Sequence, residues 1–213
     1  RRARDRHLVW ELVPKRDAAN VAATVSFEQM VVLASASPQR RRILEDIGVR
    51  FEVRSSDAVE IEAGDPEAVA VANAIAKARG VESGPGDLVI GCDTVVATEA
   101  GIWGKPCDEA DAIRTIEHLS GRTHSVVSGL AVARDGDIAT AAVTTLVTFR
   151  SLGRAFVTSY VAGGEWRGRA GGYAIQGAGA VLVDRIDGDL LNVIGLPLGA
   201  LLRLAPELRG AAG

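Results

Sequence analysis

Residues 88–97, LVIGCDTVVA, constrain most strongly how this chain can fold. They are apolar at nearly every position, whereas a half-buried strand alternates apolar and polar residues. This pattern predicts a central strand that is covered on both faces. Segments of strand character and helix character alternate on either side of it. The alternation is typical of α/β proteins, and we predict a single α/β domain with a mixed β-sheet flanked by helices.

Turn and cap residues place the other elements. Pro38 and Pro66 suit the first turn of a helix, and Asp135-Gly136 is a typical hairpin turn. Ser151 is predicted to cap a helix. We therefore predict strands at 31–35, 51–55, 88–97, 126–133 and 138–149, two short strands around Asp187-Gly188, and helices at 38–47, 66–80, 108–119, 151–161 and 197–204.

Length and composition limit the class of protein. The 213 residues suffice for one domain with a sizeable core. A net charge of −3 argues against a nucleic-acid partner, and no apolar run reaches the roughly 18 residues that span a membrane. The two cysteines form no CxxC pair, which argues against a disulfide framework and a structural zinc site. We expect a cytoplasmic protein without nucleic-acid or membrane partners.

The first 29 residues differ from the rest of the chain. They begin with arginine, show no clear periodicity, and precede the single methionine, Met30. We predict that residues 1–29 are an N-terminal extension outside the native domain and that residues 30–213 form the domain. The alternative is an arm that packs on the domain through its apolar residues, Leu8, Val9, Trp10 and Leu12.

Asp93 interrupts the most apolar strand of the chain. A buried carboxylate without a partner is costly, so Asp93 needs a cation, a metal ion or a catalytic task. Carboxylates in such places hold Mg²⁺ or activate water. The alternative is a structural aspartate that accepts hydrogen bonds from nearby backbone amides. Cys92 beside it is predicted to be a small core residue, not a nucleophile.

Two sets of basic residues suggest a phosphate site. Residues 35–42, SASPQRRR, lead from a strand into a helix N-terminus, where free N–H groups attract anions. Lys77 and Lys105 stand out because only three of the 24 basic residues are lysines. A lysine ammonium suits a phosphate oxygen. The alternatives are a serine-capped helix with solvated arginines, and two surface lysines.

Residues 171–179, GGYAIQGAG, are rich in glycine, which lets the backbone approach a ligand closely. The Gln176 amide could read a nucleobase edge, and Tyr173 could stack or pack. The alternative is an ordinary flexible loop. His118 and His124 are predicted to be structural, because no third ligand follows at metal-site spacing.

Together these stretches resemble the Maf family of nucleoside triphosphate pyrophosphatases, from about residue 31 to residue 204. The blocks that carry the resemblance keep the family's order. They are LASASPQRRRIL (33–44), the alanine-rich helix with Lys77, GCDTVV (91–96), GKP (104–106), LSGRTHSVVSG (119–129), GGYAIQGAGA (171–180) and GDLLNVIGLPL (188–198). The resemblance implies an inosine-triphosphatase-like fold, cleavage of a nucleoside triphosphate between the α and β phosphates, a Mg²⁺ or Mn²⁺ ion, and a homodimer.

The resemblance also implies a role for each motif residue. Asp93 would be the general base, and Glu60 would help it to hold metal or water. The triphosphate would be held by Ser35, Arg40, Lys77 and Lys105. The specificity positions would be Gln39, Thr94 and Gln176. Thr94 and Gln176 are similar to the branch that cleaves dTTP and UTP, whereas Gln39 stands where that branch commonly has arginine.

Two other functions remain open at this point. The first is a nucleotide-binding regulator of septum formation, in which catalysis is not essential; the family also implies a link to cell-division arrest. The second is a pyrophosphatase for another or a modified base, such as that of inosine triphosphate.

Overall fold

The computed structural model describes residues 29–211. The predicted extension therefore lies outside the described residues except for Gln29, and its separation from the domain stays a prediction. In chain order the elements are β1 (Val31–Leu33), α1 (Pro38–Asp46), β2 (Glu52–Val53), α2 (Pro66–Arg79), β3 (Leu88–Thr98), β4 (Gly101–Trp103), α3 (Glu109–Leu119), β5 (Thr123–Arg134), β6 (Asp137–Phe149), α4 (Arg154–Ala162), β7 (Val183–Asp187), α5 (Leu190–Ile194) and α6 (Leu198–Leu204), with short 3₁₀ helices at Ala170–Gly172, Ala178–Leu182 and Pro206–Ala211. None of the helices within residues 29–211 is long and apolar enough to cross a membrane.

The strands form one sheet in the order β2-β1-β3-β5-β6-β7, and β4 also pairs with β3. β1 runs parallel to β2 and β3, whereas β3 to β7 pair antiparallel, so the sheet is mixed. Helix α2 packs on one face of β3 and β5 through Ala70 and Ala74. Helices α1 and α6 cover the other face through Leu44 and Leu201. The predicted single α/β domain with a mixed, helix-flanked sheet is confirmed.

Two glycines let α2 lie unusually close to the sheet. A Cβ atom at Gly91 would lie 2.9 Å from the backbone nitrogen of Ala78 and closer still to the carbonyl oxygen of Ala74. A Cβ atom at Gly129 would overlap the backbone of Ala70. Residues without a side chain are therefore required at both positions, and α2 rests backbone to backbone on β3 and β5.

The edge of β3 opposite β5 creates a gap in the sheet. On this edge β1 pairs with the first part of β3, up to Ile90, and β4 pairs with the last part, from Val96 onward. Within the described residues, no strand pairs with the stretch between them on that side. Ligands in open α/β sheets bind where neighbouring strands diverge in this way. The gap places Asp93 and Thr94 at the floor of a cleft.

Three local predictions differ from the structure. Asp187-Gly188 does not join two strands: β7 ends at Asp187, and Asp189 caps the short helix α5 by accepting a hydrogen bond from the Leu191 amide at 2.8 Å. The apolar run LLNVI fits either a strand or a helix, and the aspartate cap decides for the helix. Ser151 caps no helix, because α4 begins only at Arg154, after Gly153. Strand β4 was not predicted.

Candidate active site

A cleft of about 390 Å³ opens at the gap in the sheet. Its walls come from the loop after β1, from α2, from the turn after β4, and from the glycine-rich segment before β7. Every site residue predicted from the sequence lines it. They are Ser35, Gln39, Arg40, Glu60, Lys77, Asp93, Thr94, Lys105 and Gln176. Residues spread over 142 positions of sequence therefore face one cavity, whereas their individual roles stay predictions.

Asp93 is buried on the floor of the cleft and has a partner on each oxygen. The Lys77 ammonium lies 2.5 Å from Oδ1, and the Asn73 amide donates to Oδ2 at 2.9 Å. Burial alone raises the pKa of the Asp93 carboxyl, but Lys77 and the Asn73 hydrogen bond outweigh it, so the pKa lies below its ordinary value. The cost of burying this carboxylate is thus offset by side chains of α2.

Lys77 and Lys105 alternate with two carboxylates along one wall. The Lys77 Nζ atom lies 2.8 Å from Glu60 Oε1, and the Lys105 Nζ atom lies 3.6 Å from Glu60 Oε2. The Lys77 side chain is only 12% exposed, whereas that of Lys105 is 57% exposed. Lys77 is therefore not a surface lysine, and Lys105 stands at the rim with its ammonium accessible to a ligand.

Arg40 is the one arginine of the SASPQRRR motif that reaches the cleft. Its guanidinium is buried and donates to the Gly195 carbonyl at 2.8 Å, to Ser35 Oγ at 2.9 Å and to Thr94 Oγ1 at 3.1 Å. Arg42 is exposed and pairs with Asp46 on the surface of α1. The three contacts fix the guanidinium plane, so a fixed positive charge stands beside the N-terminus of α1.

Gln176 lines the cleft from a loop that is held by one carboxylate. Glu165 accepts hydrogen bonds from the backbone amides of Ala178 at 2.9 Å and Gly179 at 2.7 Å. A side chain at Gly177 would overlap the Glu165 carboxylate. The loop that presents Gln176 is therefore anchored by two hydrogen bonds, which favours a ligand-binding loop over the flexible loop considered from the sequence.

The predicted structural residues behave as expected. His124 is buried, and its Nε2 atom lies 3.0 Å from the Tyr173 hydroxyl, so Tyr173 packs in the wall. Burial lowers the pKa of His124 to about 4. His118 lies on α3 and stacks on Trp103 with ring centroids 4.2 Å apart. Cys92 is fully buried in the core, and burial raises the pKa of its thiol.

The cleft offers a divalent cation two carboxylates. Asp93 and Glu60 contact the same Lys77 ammonium, so their oxygen atoms lie on one side of the cavity. Residues 29–211 contain no group of three or more His, Cys, Asp or Glu side chains suited to a metal ion. Mg²⁺ is commonly held by one or two carboxylates together with substrate phosphates and water. The donor set fits an ion that binds together with a phosphate ligand.

Comparison with known proteins places the chain in a family. The model of the family described as Maf-like protein matches residues 30–208. The chain belongs to the Maf family. A dTTP/UTP pyrophosphatase of Gloeobacter violaceus is 44% identical over 180 residues, which cover 83% of this chain and 95% of the relative. The dTTP/UTP pyrophosphatases of Thermococcus gammatolerans and Pyrococcus furiosus are 43% and 40% identical, over 95% and 93% of their own lengths.

Two residues that contact the site of this Maf protein, Asn73 and Glu165, were not predicted from the sequence. Asn73 contacts Asp93, and its signal was available: it is the polar residue four positions before Lys77 on an otherwise alanine-rich helix, so both share a face. Glu165 anchors the Gln176 loop from eleven positions upstream. Nothing in the local sequence indicates that contact, because it depends on how the loop returns to α4.

Proposed function

We propose that this Maf family protein hydrolyses nucleoside triphosphates, with dTTP and UTP as its main substrates, to the nucleoside monophosphate and pyrophosphate. The relatives named dTTP/UTP pyrophosphatase support this activity. One observation carries it: the buried carboxylate of Asp93 faces a cleft that also presents Arg40 and the accessible Lys105. A cleft with a fixed guanidinium, an accessible ammonium and a buried ionised carboxylate suits attack of water on a bound polyphosphate.

The cations would hold the triphosphate. Arg40 already uses three of its donors within the protein, so its role would be to present a fixed charge with Ser35 at the N-terminus of α1. Lys105 is free to turn toward a phosphate oxygen because its side chain is largely exposed. Such a clamp stabilises negative charge that moves onto the leaving phosphates during cleavage.

Asp93 would orient and deprotonate the attacking water. Its lowered pKa keeps the carboxylate ionised at neutral pH. The water oxygen would form a bond to the α-phosphorus, and the bond from that phosphorus to the bridging oxygen would break. Pyrophosphate would leave with the electron pair, and the water proton would pass to Asp93. Lys77 would keep Asp93 in place during this step through its contact with Oδ1.

We also propose that Asp93 and Glu60 hold Mg²⁺ or Mn²⁺ in the substrate complex, because both carboxylates face the cleft. When bound, a divalent cation neutralises charge on phosphate oxygens and aligns them for attack.

Base selection would fall to Gln176, Thr94 and Gln39, which also line the cleft. The Gln176 amide carries both a donor and an acceptor, which suits the edge of a pyrimidine. Thr94 lies beside Arg40, and its hydroxyl is 2.8 Å from that of Ser128. Gln39 accepts a hydrogen bond from Ser37 at 3.0 Å and stands at the mouth of the cleft without a charge. We propose that Gln176 and Thr94 favour dTTP and UTP and that Gln39 broadens the choice.

We further propose a cytoplasmic homodimer without nucleic-acid or membrane partners. Both cysteines, Cys92 and Cys107, are free thiols, as is usual in a reducing compartment.

Leu146 lies exposed on the part of β6 that α2 leaves uncovered, and this face could pair with a second copy. Light scattering of the protein as it elutes from a size-exclusion column measures its molar mass. The mass of a single chain would contradict the dimer.

The products of dTTP with Mg²⁺ test the proposed chemistry. We expect ³¹P NMR to show dTMP and pyrophosphate, and we expect ¹⁸O from labelled water to enter dTMP. Release of dTDP and inorganic phosphate would contradict attack at the α-phosphorus. Nucleotide binding without any turnover would favour a regulator over an enzyme.

A further inference from the structure

Asn73 is a fully buried polar side chain that contacts the carboxylate of Asp93, yet the proposed function gives it no role. We propose that Asn73 is a positioning residue, which fixes the Asp93 carboxylate and the Glu60 segment in one geometry. This inference rests on the proposed function, since it concerns the turnover of the same site.

The Asn73 side chain makes three hydrogen bonds in two directions. Its Nδ2 atom donates to Asp93 Oδ2 at 2.9 Å and to the Ile61 carbonyl at 3.0 Å. Its Oδ1 atom accepts from the Ile61 amide at 2.8 Å. The two bonds to Ile61 define which end of the amide is which, because a backbone N–H can only donate. The nitrogen must therefore face Asp93.

The segment that carries Glu60 depends on this amide. Val59 is 91% exposed and Ile61 is 51% exposed, so little apolar burial holds the segment to the domain. It contains no helix or strand. The two backbone bonds to Asn73 and the Glu60–Lys77 ion pair tie it to α2. Loss of the Asn73 side chain would leave Glu60 on a loosely held loop.

The support beneath Asn73 is rigid. Asn73 is only 2% exposed, and its neighbour on the same helix, Ala74, lies against Gly91 of the sheet without an intervening side chain. Asn73 and Lys77 are four residues apart, so they project from one face of α2 and take one oxygen of Asp93 each. Each carboxylate oxygen keeps a further lone pair for water or a cation. The pair therefore fixes Asp93 without blocking it.

The test compares Asn73→Leu with the wild-type protein at saturating Mg²⁺ and dTTP. Leucine is similar in size but makes none of the three hydrogen bonds. A misplaced reacting group costs on the order of a hundredfold in rate, so we expect kcat to fall by about that factor. The cations that hold the phosphates are unchanged, so we expect KM and the affinity for a non-hydrolysable α,β-imido analogue to stay within about threefold.

Two further variants keep the outcome clear. Asn73→Ser leaves space for water beside the carboxylate and serves if the leucine variant does not fold; its hydroxyl is too short to span Ile61 and Asp93, so kcat should also fall. Val161→Ala truncates a buried side chain of α4 outside the cleft and provides a matched loss of stability. We expect this control to keep kcat within about twofold of the wild-type value.

Each result decides the inference. A folded Asn73 variant with the kcat of the Val161→Ala control would overturn it, and so would equal losses in kcat and in analogue affinity, which indicate collapse of the pocket. If the wild-type protein itself releases no pyrophosphate, the proposed function fails, which is a distinct result. Turnover by the wild type with a selective loss of kcat at Asn73 supports both.

Discussion

Substitution of Gly91 by alanine tests whether the packing of α2 sets the geometry of the site. Gly91 lies on β3, two residues before Asp93, under the turn of α2 that carries Lys77. A single methyl group is added, and no polar contact is removed. The structure predicts that this methyl group pushes the helix away from the strand and thereby separates the Lys77 ammonium from the Asp93 carboxylate.

The size of the effect follows from the contacts. The new Cβ atom would lie 2.9 Å from the nitrogen and the Cβ atom of Ala78 and closer to the Ala74 carbonyl oxygen, whereas ordinary contacts are 3.4–4 Å. All of these atoms belong to α2, so the helix must retreat by on the order of 1 Å. Overpacking of this kind costs about 1–3 kcal/mol of unfolding free energy. A shift of about 1 Å at a catalytic group costs roughly a hundredfold in rate.

Urea unfolding and pyrophosphate release on the same samples measure both effects. Gly199→Ala is the matched control: Gly199 lies on α6, and its new Cβ atom would meet only the flexible end of Arg203 at 3.9 Å. Alanine there should leave activity unchanged and stabilise the helix slightly. If Gly91→Ala has the same urea midpoint of unfolding as the wild type and retains the wild-type kcat, the close packing of α2 does not position the site.

Three further predictions follow from individual side chains. Burial lowers the pKa of His124 from 6.5 to about 4, so its contribution to stability is complete above pH 6.5 and is lost as the pH falls toward 4. The unfolding free energy should decline by up to about 3 kcal/mol over that range. Urea titrations at pH 7 and pH 4.5 measure this decline, and the part that His124 contributes should be absent in His124→Gln. Lys105→Met should raise the KM for dTTP about tenfold with a smaller change in kcat, because the exposed Lys105 ammonium, which we propose to bind a phosphate oxygen, pairs with Glu60 and not with Asp93; equal effects on kcat and KM in steady-state assays would contradict this. Glu165→Ala should release the loop that presents Gln176 and lower the ratio of kcat/KM for dTTP to that for CTP several-fold. An unchanged ratio would contradict a role of Gln176 in base selection.

The central architecture could be read from the sequence because it depends on patterns within single segments. The continuous apolar run of β3 required cover on both faces, and the isolated Asp93 within it required a partner. The expectation that a cation or a task accompanies this carboxylate is supported by Lys77 at 2.5 Å. The scarcity of lysine in the chain indicated Lys77 and Lys105 as candidate site residues, and both line the cleft.

What could not be predicted depends on contacts between distant segments. From the local sequence, the glycines at positions 91 and 129 only weaken their strands. The reason for them is the close approach of α2, which leaves no space for a side chain at either position. The helix α5 was predicted as a strand because its apolar run has no period of its own, and its cap at Asp189 decides the structure. The anchoring of the Gln176 loop by Glu165 likewise follows from the tertiary fold.

Pyrophosphate release by the wild type beside Asp93→Asn tests whether Asp93 is the general base of a nucleoside triphosphate pyrophosphatase. The substrates are dTTP, UTP, CTP, 7-methyl-GTP and ITP with Mg²⁺ or Mn²⁺, and nucleotide affinity is measured in parallel. We expect turnover led by dTTP and UTP in the wild type, and we expect the variant to bind nucleotide but to lose at least a hundredfold in kcat, as is typical when a general base is removed. An Asp93→Asn variant that turns over dTTP at the wild-type rate would contradict the role of Asp93 as general base.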